Sequence, residues 1–130
     1  ESQHERALIL GTGGASAAVE VGLQQLGVQT FKVSRSGSGD FSYSELQEEM
    51  MTHFKLIVNC SPVGTFPNVE EKPILPYSAL GPDHLLYDLV YNPAQTAFLK
   101  AGLAQGCQTV NGESMLRLQA EKSFSLWMAE

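Results

Sequence analysis

Five short segments of strand length, the first of them a fully apolar run, are separated by mixed polar stretches. The predicted strands are residues 7–10, 28–33, 56–59, 85–89 and 108–110. After the first of them Val19, Leu23 and Leu26 recur at helical spacing, so a helix is predicted over 14–26. Gly27 follows where a helix C′ glycine belongs. In the second strand Phe31 and Val33 share one side. Further helices are predicted near 43–51, over 96–105 and over 113–128. In the last, Leu116, Ala120, Phe124 and Trp127 form a stripe that reads as core. Strands alternating with helices predict an α/β class. The expected fold is a Rossmann-like, doubly wound parallel sheet with right-handed crossovers, in a single domain.

Residues 59–85 break the pattern. Five of the six prolines fall here (Pro62, Pro67, Pro73, Pro76 and Pro82), which excludes a long crossover helix. A loop of this length in a compact domain is usually functional. It is read so here, with one short helical turn at 77–80.

Composition narrows the function classes. A net charge of −6 lacks the clustered Lys and Arg that phosphate backbones require, so nucleic acid is excluded as a partner. No apolar run approaches the ~18 residues needed to span a bilayer, which excludes a membrane partner, and no signal peptide is expected. Cys60 and Cys107 lack metal spacing and read as small core hydrophobes in a reducing cytoplasm; no metal site is expected. Residues 1–6 are polar and read as a linker stub, leaving 7–130 as the domain.

The chemistry gathers at the ends of the predicted strands. The first runs into Gly11-Thr12-Gly13-Gly14-Ala15-Ser16 and then a helix. Gly11 suits the tight turn, and Gly13 leaves the backbone open to a pyrophosphate. The N–H groups that follow would face that anion at a helix N-terminus. The second strand ends Val33-Ser34-Arg35-Ser36. An NAD site presents Asp or Glu about twenty residues past the glycines, to the ribose 2′-hydroxyl. No carboxylate stands here. Arg35 can instead grip a 2′-phosphate, and one such contact is worth about 1.5–3 kcal/mol, roughly 10- to 150-fold in preference. With the glycine turn, this favours NADP over a merely solvated arginine.

The third strand ends Asn59-Cys60-Ser61-Pro62-Val63-Gly64, at the edge where α/β sheets hold ligands; turn chemistry alone does not separate a ligand turn from a plain proline turn. Asn59 and Ser61 are candidate cofactor contacts there. The fourth ends Tyr87-Asp88-Leu89-Val90-Tyr91-Asn92-Pro93. Asp88 reads equally well as the acceptor that fixes the following turn and as a catalytic carboxylate. Ahead of the last helix stands Asn111-Gly112, and Gly112, Met115 and Gln119 line one face. Gly112 lets a flat ring approach, Met115 can pack on it, and Gln119 offers a donor and an acceptor one turn on.

In this order and spacing the motifs resemble the nucleotide-binding domain of shikimate dehydrogenase over nearly the whole chain. Thr96 and Phe98-Leu99 also match. The resemblance implies NADPH-dependent reduction of 3-dehydroshikimate to shikimate, in aromatic amino-acid biosynthesis. It places Gly11, Thr12, Gly13, Gly14 and Ala15 on the pyrophosphate, and Ser34, Arg35 and Ser36 on the 2′-phosphate. Leu89 and Gly112 would flank the nicotinamide, while Tyr91 and Gln119 would reach the substrate. The family places a substrate domain before this one, with the catalytic Lys and Asp pair, so no catalytic residue is expected in this chain. The expectation is half an enzyme that binds NADP without turnover. Weak self-association is expected where the partner domain would otherwise cover the surface. Two departures stand out. Ser16 replaces a usual alanine or glycine, and Gly39 stands where the family often carries a second basic residue, predicting a weaker phosphate clamp. A quinate/shikimate relative and a non-catalytic NADP-binding module are the competing readings.

Overall fold

A computed structural model describes residues 6–11, 13–35, 39–63, 67–89 and 95–111. The predicted last helix lies outside these residues, as do Thr12, Ser36, Tyr91, Gly112, Met115 and Gln119. In chain order the elements are β1 (Arg6–Leu10), α1 (Gly14–Gln25), β2 (Gln29–Ser34), β3 (Phe41–Ser42), β4 (Leu56–Asn59), β5 (Leu85–Asp88), α2 (Ala97–Ala104) and β6 (Gln108–Asn111). All pairings are parallel, and the strands lie in the order β3-β2-β1-β4-β5-β6. The order reverses beside β1, so a switch point falls between β1 and β4.

A parallel sheet covered on both sides needs strands that are apolar on both faces. β1 meets that need. Leu8 and Leu10 join one core with Val33, Ile57, Leu86, Phe98 and Leu99, while Ala7 and Ile9 join the other with Leu23, Val28, Leu56, Val58 and Tyr87. The helix α1 brings Leu23 to the second core, and α2 brings Phe98 and Leu99 to the first. As predicted, α1 gives way to its turn at Gly27, which has φ 84°.

Two expectations need correction. The sheet has a sixth strand, β3, whose two residues pair with Val33 and Ser34 at the edge. The helix predicted near 43–51 is instead two 3-10 turns, Tyr43–Glu45 and Glu48–His53. Leu46, Met51 and Phe54 are all buried in this segment. Positions 46 and 51 stand about 140° apart around an α-helix, so one continuous helix would leave one of them outside. Extended backbone at Leu46 and Gln47 divides the segment. A capping box, with Ser42 N–H donating to Glu45 Oε1 at 2.8 Å, closes the first turn. Phe31, Phe41 and Phe54 then meet at ring separations of 5.4–6.2 Å.

The long loop does pack. Pro73, Leu75 and Leu80 are buried, and Tyr77–Ala79 forms a 3-10 turn close to the predicted position. His84 ties the loop down. Its Nδ1 accepts from Gly81 N–H at 3.1 Å, so Nε2 carries the proton and donates to Met51 C=O at 2.7 Å.

Candidate functional site

Because every strand is parallel, the turns after β1, β2, β4 and β5 converge on one edge. At the switch point Gly11 adopts φ 113°, outside the range of ordinary side chains. A Cβ there would also stand 3.3 Å from Ser61 N, so the glycine lets the β1 and β4 turns touch. Gly11 N–H donates to Val33 C=O at 2.8 Å, and Cys60 N–H donates to Leu10 C=O at 2.9 Å. Three strand ends are thereby locked together.

Gly13 caps α1 without any side-chain bond, and the first turn of the helix holds no acid. Gly13, Gly14 and Ala15 are exposed, and a Cβ at either glycine would meet nothing within 4 Å. The first-turn N–H groups of Gly14 and Ala15 have no carbonyl partner within the helix, and the positive end of the helix dipole lies behind them. Ser16 fits the close packing expected of an alanine or glycine. It is fully buried, and its hydroxyl donates to Gly13 C=O at 2.7 Å.

At the end of β2 Ser34 is buried and Arg35 exposed. Ser34 Oγ accepts from Gly39 N–H at 3.1 Å, folding the following turn back on the strand. A Cβ on Gly39 would stand 2.8 Å from Lys32 C=O, so this turn has no room for a side chain at position 39. Among the described residues the one ion pair is Lys32–Glu20, at 3.1 Å, which leaves Arg35 without a carboxylate.

The turns after β4 and β5 are joined by buried hydrogen bonds. Asn59, with no exposure, donates from Nδ2 to Asp88 Oδ1 at 3.0 Å. Its Oδ1 accepts from Ser61 N–H at 3.1 Å and from Ser61 Oγ at 2.6 Å. Thr96 Oγ1 donates to Asp88 Oδ2 at 2.7 Å and accepts from Leu99 N–H, capping α2. Asp88 is itself fully buried and both its oxygens accept hydrogen bonds, a geometry that fits the turn-fixing reading. Asn59 likewise spends its side chain on the network, and Ser61 lies half-buried at the edge beside it. Leu89, half-buried, hangs its N–H on Asn59 C=O at 3.1 Å. Cys60 sits beside this network, and burial pushes its thiol up to about 12, with the nearby Asp88 adding to the shift.

The structure thus brings Gly11, Gly13, Gly14, Ala15, Ser34, Arg35, Asn59, Ser61 and Leu89 to the carboxyl edge of one sheet. Lys72, from the proline-rich loop, lines a cavity that Arg35 also lines, a juxtaposition that no local sequence pattern marks. Among the described residues no group of three or more His, Cys, Asp or Glu could hold a metal ion, and no helix is long and apolar enough to cross a membrane.

Strand order, glycine turn and open helix end define a Rossmann-like α/β domain. No protein-family model matches the chain. It is 34% identical over 140 residues to the shikimate dehydrogenase (NADP(+)) of Desulforamulus reducens, covering 93% of this chain and 48% of that one. Among solved structures, shikimate dehydrogenase 1 of Peptoclostridium difficile aligns with TM-score 0.68 and 35% identity, over 98% of this chain and 48% of the other. The Thermus thermophilus shikimate 5-dehydrogenase, solved in complex with NADP(H) and shikimate, aligns with TM-score 0.70 and 28% identity, over 95% of this chain and 49% of the other. The chain belongs to the shikimate dehydrogenase family and matches the C-terminal half of its members. It spans about half the length of the curated relatives it matches.

Proposed function

We propose that this chain is the NADP(H)-binding half of an enzyme that reduces 3-dehydroshikimate to shikimate. The observation that carries the reading is the end of β2, where an exposed Arg35, without a carboxylate partner among the described residues, stands in place of the acid an NAD site would present. The open first turn of α1 agrees with it, since an acid-free helix N-terminus stripped of side chains suits a pyrophosphate. When bound, the cofactor supplies hydride to the substrate ketone.

The chain's own residues bind and orient. Gly13, Gly14 and Ala15 offer N–H groups to the pyrophosphate, and the family pattern adds Gly11 and Thr12 to that contact. Arg35 holds the 2′-phosphate, with Ser34 and Ser36 beside it. The Asn59–Asp88–Thr96 bonds hold Ser61 and Leu89 in fixed register along the nucleotide's path. From the family pattern Gly112 and Met115 pack on the nicotinamide, and Tyr91 and Gln119 reach the substrate.

The relatives are about twice this length, and in this reading the other half carries the substrate domain with its Lys and Asp pair. Residues 1–130 alone then bind cofactor without turnover. The test is shikimate oxidation with NADP+, followed by nicotinamide absorbance. The product of the whole reading frame should turn over, and residues 1–130 should stay at the blank. Cofactor binding with no turnover in the whole product would favour a binding module instead.

A further inference from the structure

A cavity of about 490 Å³ opens between the end of β2 and the proline-rich loop. Arg35, Ser42 and Ser44 line it from the region of β2 and β3, and Lys72 and Ile74 from the proline-rich loop. The two cations come from segments 37 residues apart in sequence. We propose that Lys72 is the second cation of the 2′-phosphate clamp, delivered by the loop after β4 because the β2 turn cannot carry one. The proposal rests on the NADP reading above and names a further specificity-determining residue for it.

Three observations support it. Position 39, the local alternative, is closed to any side chain by Lys32 C=O. Lys72 is held in place: its Nζ lies 5.5 Å from the Tyr77 ring centroid, and Tyr77 donates its hydroxyl to Pro73 C=O at 2.7 Å. Among the described residues Lys72, like Arg35, has no carboxylate partner. An ammonium positioned but not neutralised is ready for an anion, and two such cations facing one cavity suit a dianion better than a monoanion. Glu71 lines the same cavity and opposes this charge, leaving two cations against one acid. That opposition gives the proposal a second, independent handle.

Adenosine 2′,5′-bisphosphate and adenosine 5′-phosphate differ only in the 2′-phosphate, so calorimetric titration of the full chain with both isolates the clamp. Lys72→Met keeps a flexible, unbranched aliphatic side chain while removing the charge. It should lower affinity for the bisphosphate about tenfold and leave the monophosphate within about twofold. Lys72→Arg should retain the discrimination, and Glu71→Gln should tighten the bisphosphate alone. Suppose Arg35→Ala abolishes discrimination while Lys72→Met and Glu71→Gln leave it intact. The clamp is then refuted and the cofactor reading stands. Equal binding of both nucleotides by the unaltered chain would overturn the cofactor reading, and the clamp with it.

Discussion

Asp88→Ala would unpair two buried groups at once. Asn59 Nδ2 and the Thr96 hydroxyl both donate to this carboxylate, and neither residue has any exposure. A buried donor left without its partner costs about 1–3 kcal/mol. Asn59 keeps a long contact of 3.4 Å to Val63 C=O, and the Thr96 hydroxyl can rotate, so the sum falls below the maximum. We expect a loss of about 2–5 kcal/mol, a large share of the ~5–15 kcal/mol that holds a typical domain. Asp88→Asn should cost less, about 1–2 kcal/mol. Its oxygen can still face Asn59 Nδ2, but its new N–H must then face Thr96, whose proton has to swing away. Flipping Asn59 does not help, because that would set its amide nitrogen against Ser61 N–H. Urea unfolding followed by circular dichroism checks the order. A loss of 3 kcal/mol moves the midpoint by about 1.5–2 M at the slope of a small domain. If Asp88→Ala moves the midpoint by less than about 0.3 M, the network does not hold these strand ends together. In the whole enzyme Asp88→Asn should retain most of its kcat. A collapse of turnover without loss of stability would restore the catalytic reading.

His84→Ala should cost about 2–3 kcal/mol, roughly 10 °C in Tm by calorimetry, because Gly81 N–H and Met51 C=O lose their shared partner. An unchanged Tm would show that the loop is held elsewhere. Gly39→Ala should destabilise the β2 turn by more than 1 kcal/mol in urea, since its Cβ would press on backbone 2.8 Å away. Cys60, half-exposed with its thiol raised to about 12, should alkylate at pH 8 about a hundredfold more slowly than a free thiol. The thiolate is scarce there, although each thiolate formed is more nucleophilic. Mass spectrometry after iodoacetamide treatment reads the rate, and reaction at the free-thiol rate would contradict the burial assigned to it.

The parallel sheet was legible because central strands buried on both faces must read as unbroken apolar runs, and 7–10 and 56–58 do. The carboxyl ends of β1 and β2 carried the glycine turn and Arg35, so the edge was legible too. β3 was not. Two residues, Phe41 and Ser42, give no periodicity, and their strand state comes from pairing with β2. The segment 43–54 misled for the converse reason, because its spacing resembles a helix while its burial follows the sheet and the aromatic cluster. Asn59 and Asp88 were each visible at a strand end, but their bond joins residues 29 apart and exists only once β4 and β5 pair. That Lys72 and Arg35 line one cavity was hidden in the same way, since nothing local brings a loop lysine to the end of β2.

The central claim is that this chain holds NADP(H) through Arg35, and it is tested most directly by the two dissociation constants for NADP+ and NAD+, measured by calorimetry before and after Arg35→Ala. The account predicts that NADP+ binds roughly 10- to 150-fold tighter, and that the substitution erases most of the difference while NAD+ affinity stays nearly constant. Equal affinities in the unaltered chain, or a preference that survives loss of Arg35, would contradict it.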